Sequence, residues 1–352
     1  MLGPMRADMA RQPEVIAALL LRAPAFLEAG AGLAPGAGGR LFVTGCGDGA
    51  FAAEAAGEFA RDLGLDWRAV GALDLLLSAH RLTAADRVIA ISMSGNVDRT
   101  VAAARAAAAA GATLIALVNG GGGRLAEIAG ARLSLDIPDI APFLCGTSSY
   151  TATIAALMLL AAGAAGQPDA ARALAMVPAA LREAVACTIE EAVPSGVRLL
   201  SAGAEAGTVR YGAAKLVELT RIPAWSGDLE EFAHSQYWAT PTSDLIVVVA
   251  PEPVLARLAA EACEALAELG IRCLAIDTAA TPVATAARRI TLPALPPALA
   301  PLVTAVPLQV LACRLSQASG LDPDRRTHLR EDTARFRVSR LLTRRSLLGT
   351  GQ

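Results

Sequence analysis

Short apolar segments alternate with longer stretches rich in alanine and leucine along most of this chain. Residues 88–91, 114–117 and 245–249 are examples of the short segments. A strand that is apolar on both sides is buried on both faces, as in a parallel sheet covered by helices. The pattern therefore predicts an α/β fold in which parallel strands alternate with helices.

The apolar segments recur at an offset of about 158 residues. The matched pairs are 39–45 with 197–203, 86–91 with 244–249, 111–117 with 270–276, and 132–135 with 289–292. Four matches in the same order favour a duplication over coincidence. Each half is therefore predicted to be a doubly wound, flavodoxin-like three-layer sandwich with a parallel sheet.

The repeat also predicts how the chain is divided. The expected parts are a lead-in helix at 1–30, a first domain at 31–168, a helical linker at 169–194, a second domain at 195–329 and an arginine-rich tail at 330–352. Within these parts we expect helices at 5–26, 153–162 and 179–192. The tail carries six arginines and is predicted to be partly disordered.

Composition excludes several classes of function. Hydrophobic residues make up 54% of the chain, but the longest smooth apolar stretch, 153–166, is shorter than the roughly 18 residues of a membrane span. Residues 1–13 lack the apolar core of a signal peptide. A net charge of -2 gives no reason to expect nucleic acid as a partner. We therefore expect a cytoplasmic protein that binds neither membrane nor nucleic acid.

Cysteine and histidine are too dispersed to suggest a metal site. The cysteines lie mostly in apolar runs without paired spacing, which predicts reduced thiols. They are Cys46, Cys145, Cys187, Cys263, Cys273 and Cys313. The three histidines are His80, His234 and His328, and we interpret His80 and His328 as structural or surface residues. No metal and no cofactor are expected.

Ligands of open α/β sheets bind beyond the carboxyl ends of the strands, so the loops there are the candidate sites. Residues 87–91 lead into Ser92-Met93-Ser94-Gly95-Asn96-Val97, followed by a helix. Two hydroxyls and the free N–H groups of a helix start suit a phosphate. The alternative is an ordinary turn with a serine cap, but two serines with a glycine exceed what capping needs.

Two other loops of the first half could contact a ligand. Gly45-Cys46-Gly47-Asp48 either forms a variant dinucleotide-binding turn with Ala50 or a tight turn that approaches a sugar. The hydroxyl-rich 145–151, which contains Thr147 and Ser148, precedes an apolar helix. Its hydroxyls suit a phosphate or a sugar, and a simple helix cap explains them nearly as well.

The second half offers a base and an acid instead of a serine-rich loop. Lys215 is the only lysine in the chain and stands three residues before Glu218, so the two share a helix face. Asp228 and Glu231 have capping-box spacing, which places His234 in a short helix. A carboxylate and an imidazole can act together as general base and acid, although an isolated histidine is more often structural.

Taken together, these residues resemble the SIS (sugar isomerase) family, in particular its tandem-domain members that isomerise, deaminate or deglycate sugar phosphates. The motifs that carry the resemblance are Gln12-Pro13, Gly45-Cys-Gly47, Ser92-Met-Ser-Gly95, Lys215-Leu-Val-Glu218, Glu231-Phe-Ala-His234, Pro307-Leu-Gln309 and Gly320-Leu-Asp-Pro-Asp324.

The resemblance implies a role for each of these sites. Ser92, Ser94 and neighbouring loop atoms would hold the phosphate. Glu218 would move a proton between C1 and C2 of the sugar, and His234 would open the ring or protonate the leaving group. Because the histidine of such proteins usually comes from a partner subunit, the resemblance also implies a homodimer.

The chain departs from the family pattern in ways that bear on mechanism. One group of family members that this chain resembles, the glucosamine-6-phosphate synthases, has an additional glutaminase domain and a tail lysine that forms a Schiff base with the open-chain sugar. No lysine follows Asp324 here. Given Leu2 and a leader of only about 38 residues before the first strand, we expect neither a glutaminase domain nor glutamine as an amino donor. Val97 and Asp48 stand where hydroxyl residues are usual. Since a carboxylate would repel a phosphate, Asp48 is expected to bind a sugar hydroxyl or an amine.

Three functions remain open at this stage. The favoured one is a sugar-phosphate isomerase, deaminase or deglycase without glutaminase activity, in which Glu218 is the base, His234 the acid and Lys215 a supporting residue. The alternative is a phosphosugar sensor without catalysis, which the absence of room for a DNA-binding helix-turn-helix disfavours. The third hypothesis, an NAD-dependent oxidoreductase, is supported only by the turn that begins at Gly45.

Overall fold

Ten parallel strands form two separate five-stranded sheets in the computed structural model, which describes residues 3–36 and 38–344. The strands are β1 Leu41–Gly45, β2 Trp67–Gly71, β3 Arg87–Ile91, β4 Thr113–Val118, β5 Ala131–Ser134, β6 Val197–Ser201, β7 Ala224–Asp228, β8 Leu245–Val249, β9 Arg272–Thr278 and β10 Arg288–Leu292. The predicted α/β class is confirmed, with helices flanking both sheets.

Helices connect most of the strands. They are α1 Pro4–Ala10, α2 Gln12–Leu21, α3 Ala23–Ala31, α4 Asp48–Ala55, α5 Gly57–Asp62, α6 Ala72–Leu77, α7 Asp98–Ala109, α8 Gly123–Ile128, α9 Ser148–Ala164, α10 Val177–Ala184, α11 Ala206–Thr220, α12 Leu229–His234, α13 Pro253–Glu268, α14 Pro301–Ala318, α15 Thr327–Glu331 and α16 Thr333–Arg344. Short 3₁₀ turns fill several of the remaining connections.

The chain forms two compact units that are each discontinuous in sequence. The first unit contains residues 15–139, 148–175 and those from His328 onward; the second contains the residues up to Glu14, 140–147 and 176–327. Each unit holds one sheet. The second unit thus includes a short segment, 140–147, from the connection between β5 and α9. The linear boundaries expected from the repeat stay a prediction.

The first unit has the strand order β2-β1-β3-β4-β5. The chain runs from β1 outward to β2 and then returns to β3 on the other side of β1. This reversal creates a switch point between β1 and β3, where ligands of such sheets bind. Gly45 and Ile91, the last residues of β1 and β3, are paired, so the loops that follow them start side by side.

The second unit repeats that order, read from its other edge, as β7-β6-β8-β9-β10. Its switch point lies between β6 and β8, whose residues Leu200 and Val248 are paired near the carboxyl ends. Strand β8 is fully buried, whereas β7 is half-exposed at the sheet edge. Residues of α13 such as Ala259 and Cys263 pack into the apolar core beside the sheet, together with strand residues such as Ile246 and Val248.

Small residues bring helices of the first unit close together. Gly30 of α3 and Gly163 of α9 face each other's helices, and a Cβ at Gly30 would lie 2.3 Å from the carbonyl oxygen of Leu160. A Cβ at Gly163 would meet the Leu27 carbonyl oxygen at 2.2 Å. The close contact of these two helices therefore requires glycine at both positions.

The expected lead-in helix at 5–26 is wrong in one respect, because three helices occupy its place. Pro13 lies at the start of α2 and Pro24 at the start of α3. Proline lacks the N–H that an uninterrupted helix would use there, and its ring clashes with the preceding turn. Proline is favoured in a first helical turn, so the chain restarts a helix at each one.

The linker helix expected at 179–192 is also shorter than predicted. It forms α10 and ends at Ala184. Beyond that point the chain is held by ion pairs instead of helical hydrogen bonds: the buried carboxylate of Glu191 lies 3.4 Å from Arg272 and 2.8 Å from Arg288. Because these arginines belong to β9 and β10, the pairs tie the linker to the edge of the second sheet.

One further expectation needs correction, and the partial disorder expected of the tail stays a prediction. The helix predicted at 153–162 begins earlier, at Ser148, so most of the hydroxyl-rich loop lies in its first turns. The tail is helical in α16 up to Arg344, where Arg99 donates a hydrogen bond to the carbonyl of Leu342, while residues 345–352 lie outside the described part. Within the described residues, no helix has the length and hydropathy of a membrane span.

Candidate functional site

Glu218 of α11 is the centre of a charged cluster in the second unit. The Lys215 ammonium lies 3.1 Å from Oε1 and 3.2 Å from Oε2 of this carboxylate. The Cys145 thiol donates to Oε2 at 3.2 Å, and Nη1 of Arg326 lies 3.3 Å from the same oxygen. The predicted proximity of Lys215 and Glu218 on one helix face is confirmed. Residues from three distant parts of the chain therefore hold one carboxylate.

Lys215 is an unusual lysine because it is only 2% exposed. Its ammonium lies 5.3 Å from the ring centroid of Tyr211, one helical turn earlier. The Tyr211 hydroxyl in turn donates to the carbonyl of Gly146 at 2.8 Å. A buried charge is tolerated when it is paired and hydrogen-bonded, and Glu218 supplies that pairing.

The environment of Glu218 favours its ionised form. Burial alone would raise its pKa, but the charge of Lys215, the Cys145 thiol and the charge of Arg326 together hold the pKa below the ordinary 4.5. The side chain nevertheless remains 38% exposed. The result is a fixed carboxylate, ionised at neutral pH, that can reach a ligand and accept a proton.

The segment 140–147 is anchored beside this cluster in the second unit. Cys145 is buried, Gly146 accepts from Tyr211, and the Thr147 hydroxyl donates to the Asp8 carboxylate of α1. Thr147 is fully buried, and its hydroxyl is engaged in this internal contact. Its neighbour Ser148 is 1% exposed and begins α9. The expectation that both hydroxyls contact a ligand stays a prediction.

His234 is the last residue of α12, in the second unit. Asp228 caps that helix by accepting from the backbone N–H groups of Glu230 and Glu231, which confirms the predicted cap. The imidazole lies 3.0 Å from Glu230 Oε1, and its side chain is 68% exposed. An exposed imidazole held by a carboxylate can exchange protons with solvent or a ligand, while its pairing with Glu218 stays a prediction.

The predicted phosphate loop lies at the switch point of the first unit. Ser92 is 5% exposed, and its hydroxyl has no hydrogen-bond partner among the described residues. Gly95 has a φ of 65°, and a Cβ there would overlap the carbonyl oxygen of Gly122. The helix after the loop begins at Asp98, with Val97 at its N-cap. The loop thus presents an unsatisfied buried hydroxyl just before a helix start.

Internal hydrogen bonds fix the rest of this loop. The Asn96 backbone N–H and side-chain amide donate to the hydroxyl and carbonyl of Ser94, at 3.2 Å and 2.8 Å. Arg124 donates to the Asn96 carbonyl at 2.6 Å and to Asp98 at 2.5 Å. The carbonyl of Met93 accepts from the N–H of Asn119 at 2.9 Å. Because Arg124 is ion-paired with Asp98, it ties the loop to the start of α7.

The loop after β1 lies next to the phosphate loop. Gly47 is exposed with a φ of 55°, and Asp48 opens the first turn of α4. The hydroxyl of Thr100, in the first turn of α7, donates to the Cys46 thiol at 3.5 Å. This contact ties the two loops together, so Asp48 and the serine loop border the same switch point.

The cysteines and other metal-binding groups do not form a centre. All six cysteines are free, and four of them are buried. Within residues 3–36 and 38–344, no group of three or more His, Cys, Asp or Glu side chains could hold a metal ion.

Cys145 and Arg326 were not recognised from the sequence as site residues. They lie 73 and 108 residues from Glu218, so no helical or strand spacing relates them. The available signal was indirect: Cys145 opens the hydroxyl-rich segment, and Arg326 follows the turn at 320–324. Neither position has a motif of its own.

Comparison with known proteins agrees with this architecture. The SIS domain family matches residues 37–163. No curated protein matches the chain. A protein described as a phosphosugar isomerase from Silicibacter pomeroyi superposes with a TM-score of 0.77 at 21% identity, over 92% of this chain and 100% of that one.

Two further solved structures are similar. The C-terminal domain of glucosamine-fructose-6-phosphate aminotransferase from Francisella tularensis gives a TM-score of 0.75 at 17% identity, covering 92% of this chain and 98% of that chain. Tagatose-6-phosphate ketose/aldose isomerase from Escherichia coli gives 0.71 at 22% identity, covering 91% and 94%. Residues 37–163 thus match the SIS domain, and the chain shares its fold with these three structures.

Proposed function

We propose that this protein is an enzyme that acts on a phosphorylated sugar or aminosugar, with Glu218 as the general base. The observation that carries the proposal is the Glu218 carboxylate, which three donors hold in place and which is ionised yet 38% exposed. The match of 37–163 to the SIS domain and the likeness to phosphosugar isomerases support the substrate class.

The proposed chemistry is a proton transfer next to a carbonyl group. In an open-chain aldose, Glu218 removes the proton from C2 while the electron pair of the C1 carbonyl moves onto O1, giving an enediolate. The proton of the C2 hydroxyl then passes from O2 to O1. Return of the proton to C1 yields the ketose. One carboxylate can serve both steps, and a base held in position contributes typically 10²–10⁴-fold to such a reaction.

Deamination or deglycation would extend the same chemistry. In an aminosugar or ketosamine phosphate, the same proton transfer turns the C–N bond into an imine. Water then adds to the imine carbon, and collapse of the resulting carbinolamine to a carbonyl group releases the amine, which must gain a proton as it leaves. His234 is the proposed donor, because its imidazole is 68% exposed and lies 3.0 Å from the Glu230 carboxylate. Ring opening before either reaction needs the same kind of donor.

The phosphate is proposed to bind the loop after β3. The Ser92 hydroxyl has no other partner among the described residues, and Ser94, the backbone around Met93, Asn96 and Val97, and the helix start supply further donors. Gly47 and Asp48 would contact the sugar, with Asp48 accepting from a hydroxyl or an amine. Thr147 and Ser148 are the least supported members of this set, because both are buried.

We further propose that no enzyme-bound Schiff base forms. Lys215 is the only lysine in the sequence, and its ammonium is paired with Glu218 at 3.1 Å. A protonated amine is not a nucleophile, and the ion pair stabilises the protonated form. Lys215 therefore has the role of orienting the base. Glutamine is likewise not expected as an amino donor, which an assay with added glutamine checks.

Two structural expectations belong to the same proposal. The shared strand order of the two sheets supports a duplication that produced a tandem SIS protein. A homodimer, in which a partner would supply a histidine, follows from the family resemblance and is tested by sedimentation of the purified protein.

The decisive experiment compares turnover and binding in D₂O. The wild type is incubated with aldose, ketose, aminosugar and ketosamine phosphates, and NMR detects new isomers, ammonia or amine, and deuterium at C1 or C2. Glu218→Gln should lower turnover at least about a hundredfold while ligand-induced thermal stabilisation persists. Glu261→Gln, on an exposed position of α13, is the control.

Each outcome separates the candidates. Undiminished turnover in Glu218→Gln would end the proposal that this carboxylate is the base. Stabilisation of the wild type by a sugar phosphate, with no product and no deuterium from any compound, would instead support the non-catalytic sensor.

A further inference from the structure

Four described residues other than glycine have a positive φ angle: Asp136, Phe143, Arg221 and Arg326. The left-handed region is unfavourable for side chains with a Cβ, and for a bulky residue such as phenylalanine it is a clear outlier. Phe143 has a φ of 63° and Arg326 a φ of 51°. These two residues also contact each other, so strain in two separate segments of the second unit converges at one place.

The Arg326 side chain makes three kinds of contact: hydrogen bonds to a carbonyl oxygen, stacking on an aromatic ring, and an ion pair. Its Nε donates to the Phe143 carbonyl at 2.9 Å, and Nη2 donates to the same oxygen. The guanidinium stacks on the Phe143 ring, with Cζ 4.2 Å from the centroid. The third nitrogen, Nη1, lies 3.3 Å from Glu218 Oε2. The residue is 8% exposed, so all three contacts are shielded from solvent.

The turn that presents Arg326 is itself fixed. The Arg326 N–H donates to the carbonyl of Asp322 at 2.9 Å. The Asp322 carboxylate accepts from the N–H of Asp324 at 2.9 Å, and the Asp324 carboxylate accepts from the N–H of Met5 at 2.7 Å. A backbone strained in this way persists only where its surroundings hold it, and such strain concentrates at functional sites.

The segment 140–147, which contains Phe143, is fixed as well. Gly146 accepts from Tyr211 of α11, and Cys145 donates to the same Glu218 oxygen that Arg326 contacts. Two donors on one oxygen, approaching from segments that are both anchored, restrict the rotation of the carboxylate. Lys215 alone, which lies almost equally far from both oxygens, imposes no such preference.

We propose that Arg326 is a positioning residue that fixes the orientation of the Glu218 carboxylate through its clamp on Phe143. The inference rests on the proposed role of Glu218 as the base. Lysine could not replace Arg326, because one ammonium cannot donate to the Phe143 carbonyl, stack on its ring and reach Glu218 together. The positive charge also helps to keep Glu218 ionised.

The test uses Arg326→Met and Arg326→Lys, with Arg325→Met as the matched control because Arg325 is an exposed arginine of the same turn. The Glu218 titration is followed by carboxyl ¹³C NMR, with Glu218→Gln identifying the signal, and needs no turnover. In Arg326→Met the midpoint should rise by about one pH unit. It should stay unchanged in Arg325→Met.

Kinetics supply the second measurement. Arg326→Met and Arg326→Lys should both lower kcat about tenfold to a hundredfold with KM little changed, since a misplaced base slows the chemical step. Millimolar guanidinium should restore part of kcat in Arg326→Met. Cys145→Ala removes the other donor to Oε2 without altering the turn, and should lower kcat less strongly than Arg326→Met. This variant tests the positioning of Glu218 even if the Arg326 variants fold poorly.

The outcomes distinguish the two ideas. Unchanged Glu218 titration in Arg326→Met, or full activity in Arg326→Lys, would overturn the positioning role. If the titration shifts but neither the wild type nor any variant turns over a sugar phosphate, the positioning of Glu218 stands and the proposed enzyme function fails.

Discussion

Asp86 is bound by Arg40 through both of its carboxylate oxygens, at 2.8 Å and 2.7 Å. The hydrogen bond from Arg40 is the main reason why the pKa of Asp86 lies at about 2 instead of the ordinary 3.8. The second unit has an ion pair in the equivalent place, between Asp244 and Arg198 at 3.3 Å. Both aspartates immediately precede a central strand, and both are buried.

Asp86→Asn is therefore expected to destabilise the first unit by about 2–3 kcal/mol, because it leaves a partly buried guanidinium without its counter-charge. Asp66→Asn is the control: its pair with Arg68 has the same 2.7 Å distance but is exposed, so it should cost less than about 1 kcal/mol. Chemical denaturation at pH 7 measures both. Equal losses in the two variants would contradict the importance of burial.

The same pair sets a pH dependence. Because the folded pKa of Asp86 is lowered, its contribution to stability is complete above about pH 3.8 and is lost as the pH falls through 2. The wild type should lose stability relative to Asp86→Asn on acidification over that range. A constant difference between the two proteins from pH 5 to pH 2 would show that the carboxylate is not stabilised by Arg40.

How much of this fold the sequence predicts depends on burial. The central strand β8 is apolar throughout and β3 is apolar after Arg87, so both are predicted from the sequence. The edge strand β7, with the sequence Ala-Trp-Ser-Gly-Asp, was not recognised as a strand. It is half-exposed and pairs only with β6, so its residues carry no apolar run.

A similar distinction applies to the site. The contact between Lys215 and Glu218 was predictable, since three residues along a helix always place two side chains on one face. The contacts of Glu218 with Cys145 and Arg326 were not, because they depend on how two distant turns fold onto α11. Local rules describe neighbours along an element, whereas these contacts arise only from tertiary packing.

Glu205 is a buried carboxyl group that the proposed chemistry does not use. It is fully buried at the start of α11; Oε2 accepts from the Thr304 hydroxyl at 2.7 Å, and Oε1 has no hydrogen-bond partner among the described residues. Burial raises its pKa to about 7, against the opposing effect of the Thr304 and Thr208 hydroxyls. Glu205 is therefore largely protonated in mildly acidic solution.

This raised pKa predicts that the second unit loses stability as the pH rises from mildly acidic to neutral. The stability linked to Glu205 is complete below about pH 4.5 and falls as the pH rises through 7, by roughly 3 kcal/mol once the group must ionise. Glu205→Gln should abolish most of the decline in the thermal midpoint between pH 5 and pH 8.5. Glu58→Gln, on a partly exposed glutamate, is the control and should behave like the wild type.

A further prediction concerns Ser92. Removing a buried hydroxyl that lacks a protein partner should leave stability unchanged or raise it by up to about 1 kcal/mol, while the loss of a phosphate donor weakens sugar-phosphate binding about tenfold. Ser92→Ala is measured by thermal unfolding and calorimetric titration. Ser316→Ala is the matched control, because that hydroxyl is also buried without a partner among the described residues but lies in α14.

The combination of effects is what identifies a binding residue. If Ser92→Ala bound sugar phosphates as tightly as the wild type, the loop would not be the phosphate site. If Ser316→Ala weakened binding equally, the loss would reflect a general effect of removing buried hydroxyls.

Gly95 provides the sharpest test of the phosphate loop, because two separate features exclude any other residue there. Its φ of 65° is strained for a residue with a Cβ, and that Cβ would lie 1.6 Å from the carbonyl oxygen of Gly122.

Gly47 has a similar φ of 55°, but a Cβ there would meet no atom within 4 Å. Gly47→Ala should therefore cost about 1–3 kcal/mol from backbone strain alone, since Gly47 also has a ψ of -126°. Gly95→Ala must move the loop and should cost more than about 3 kcal/mol or abolish sugar-phosphate binding. Thermal unfolding with and without a sugar phosphate measures both variants, and equal effects would show that the approach of Gly122 does not shape the loop.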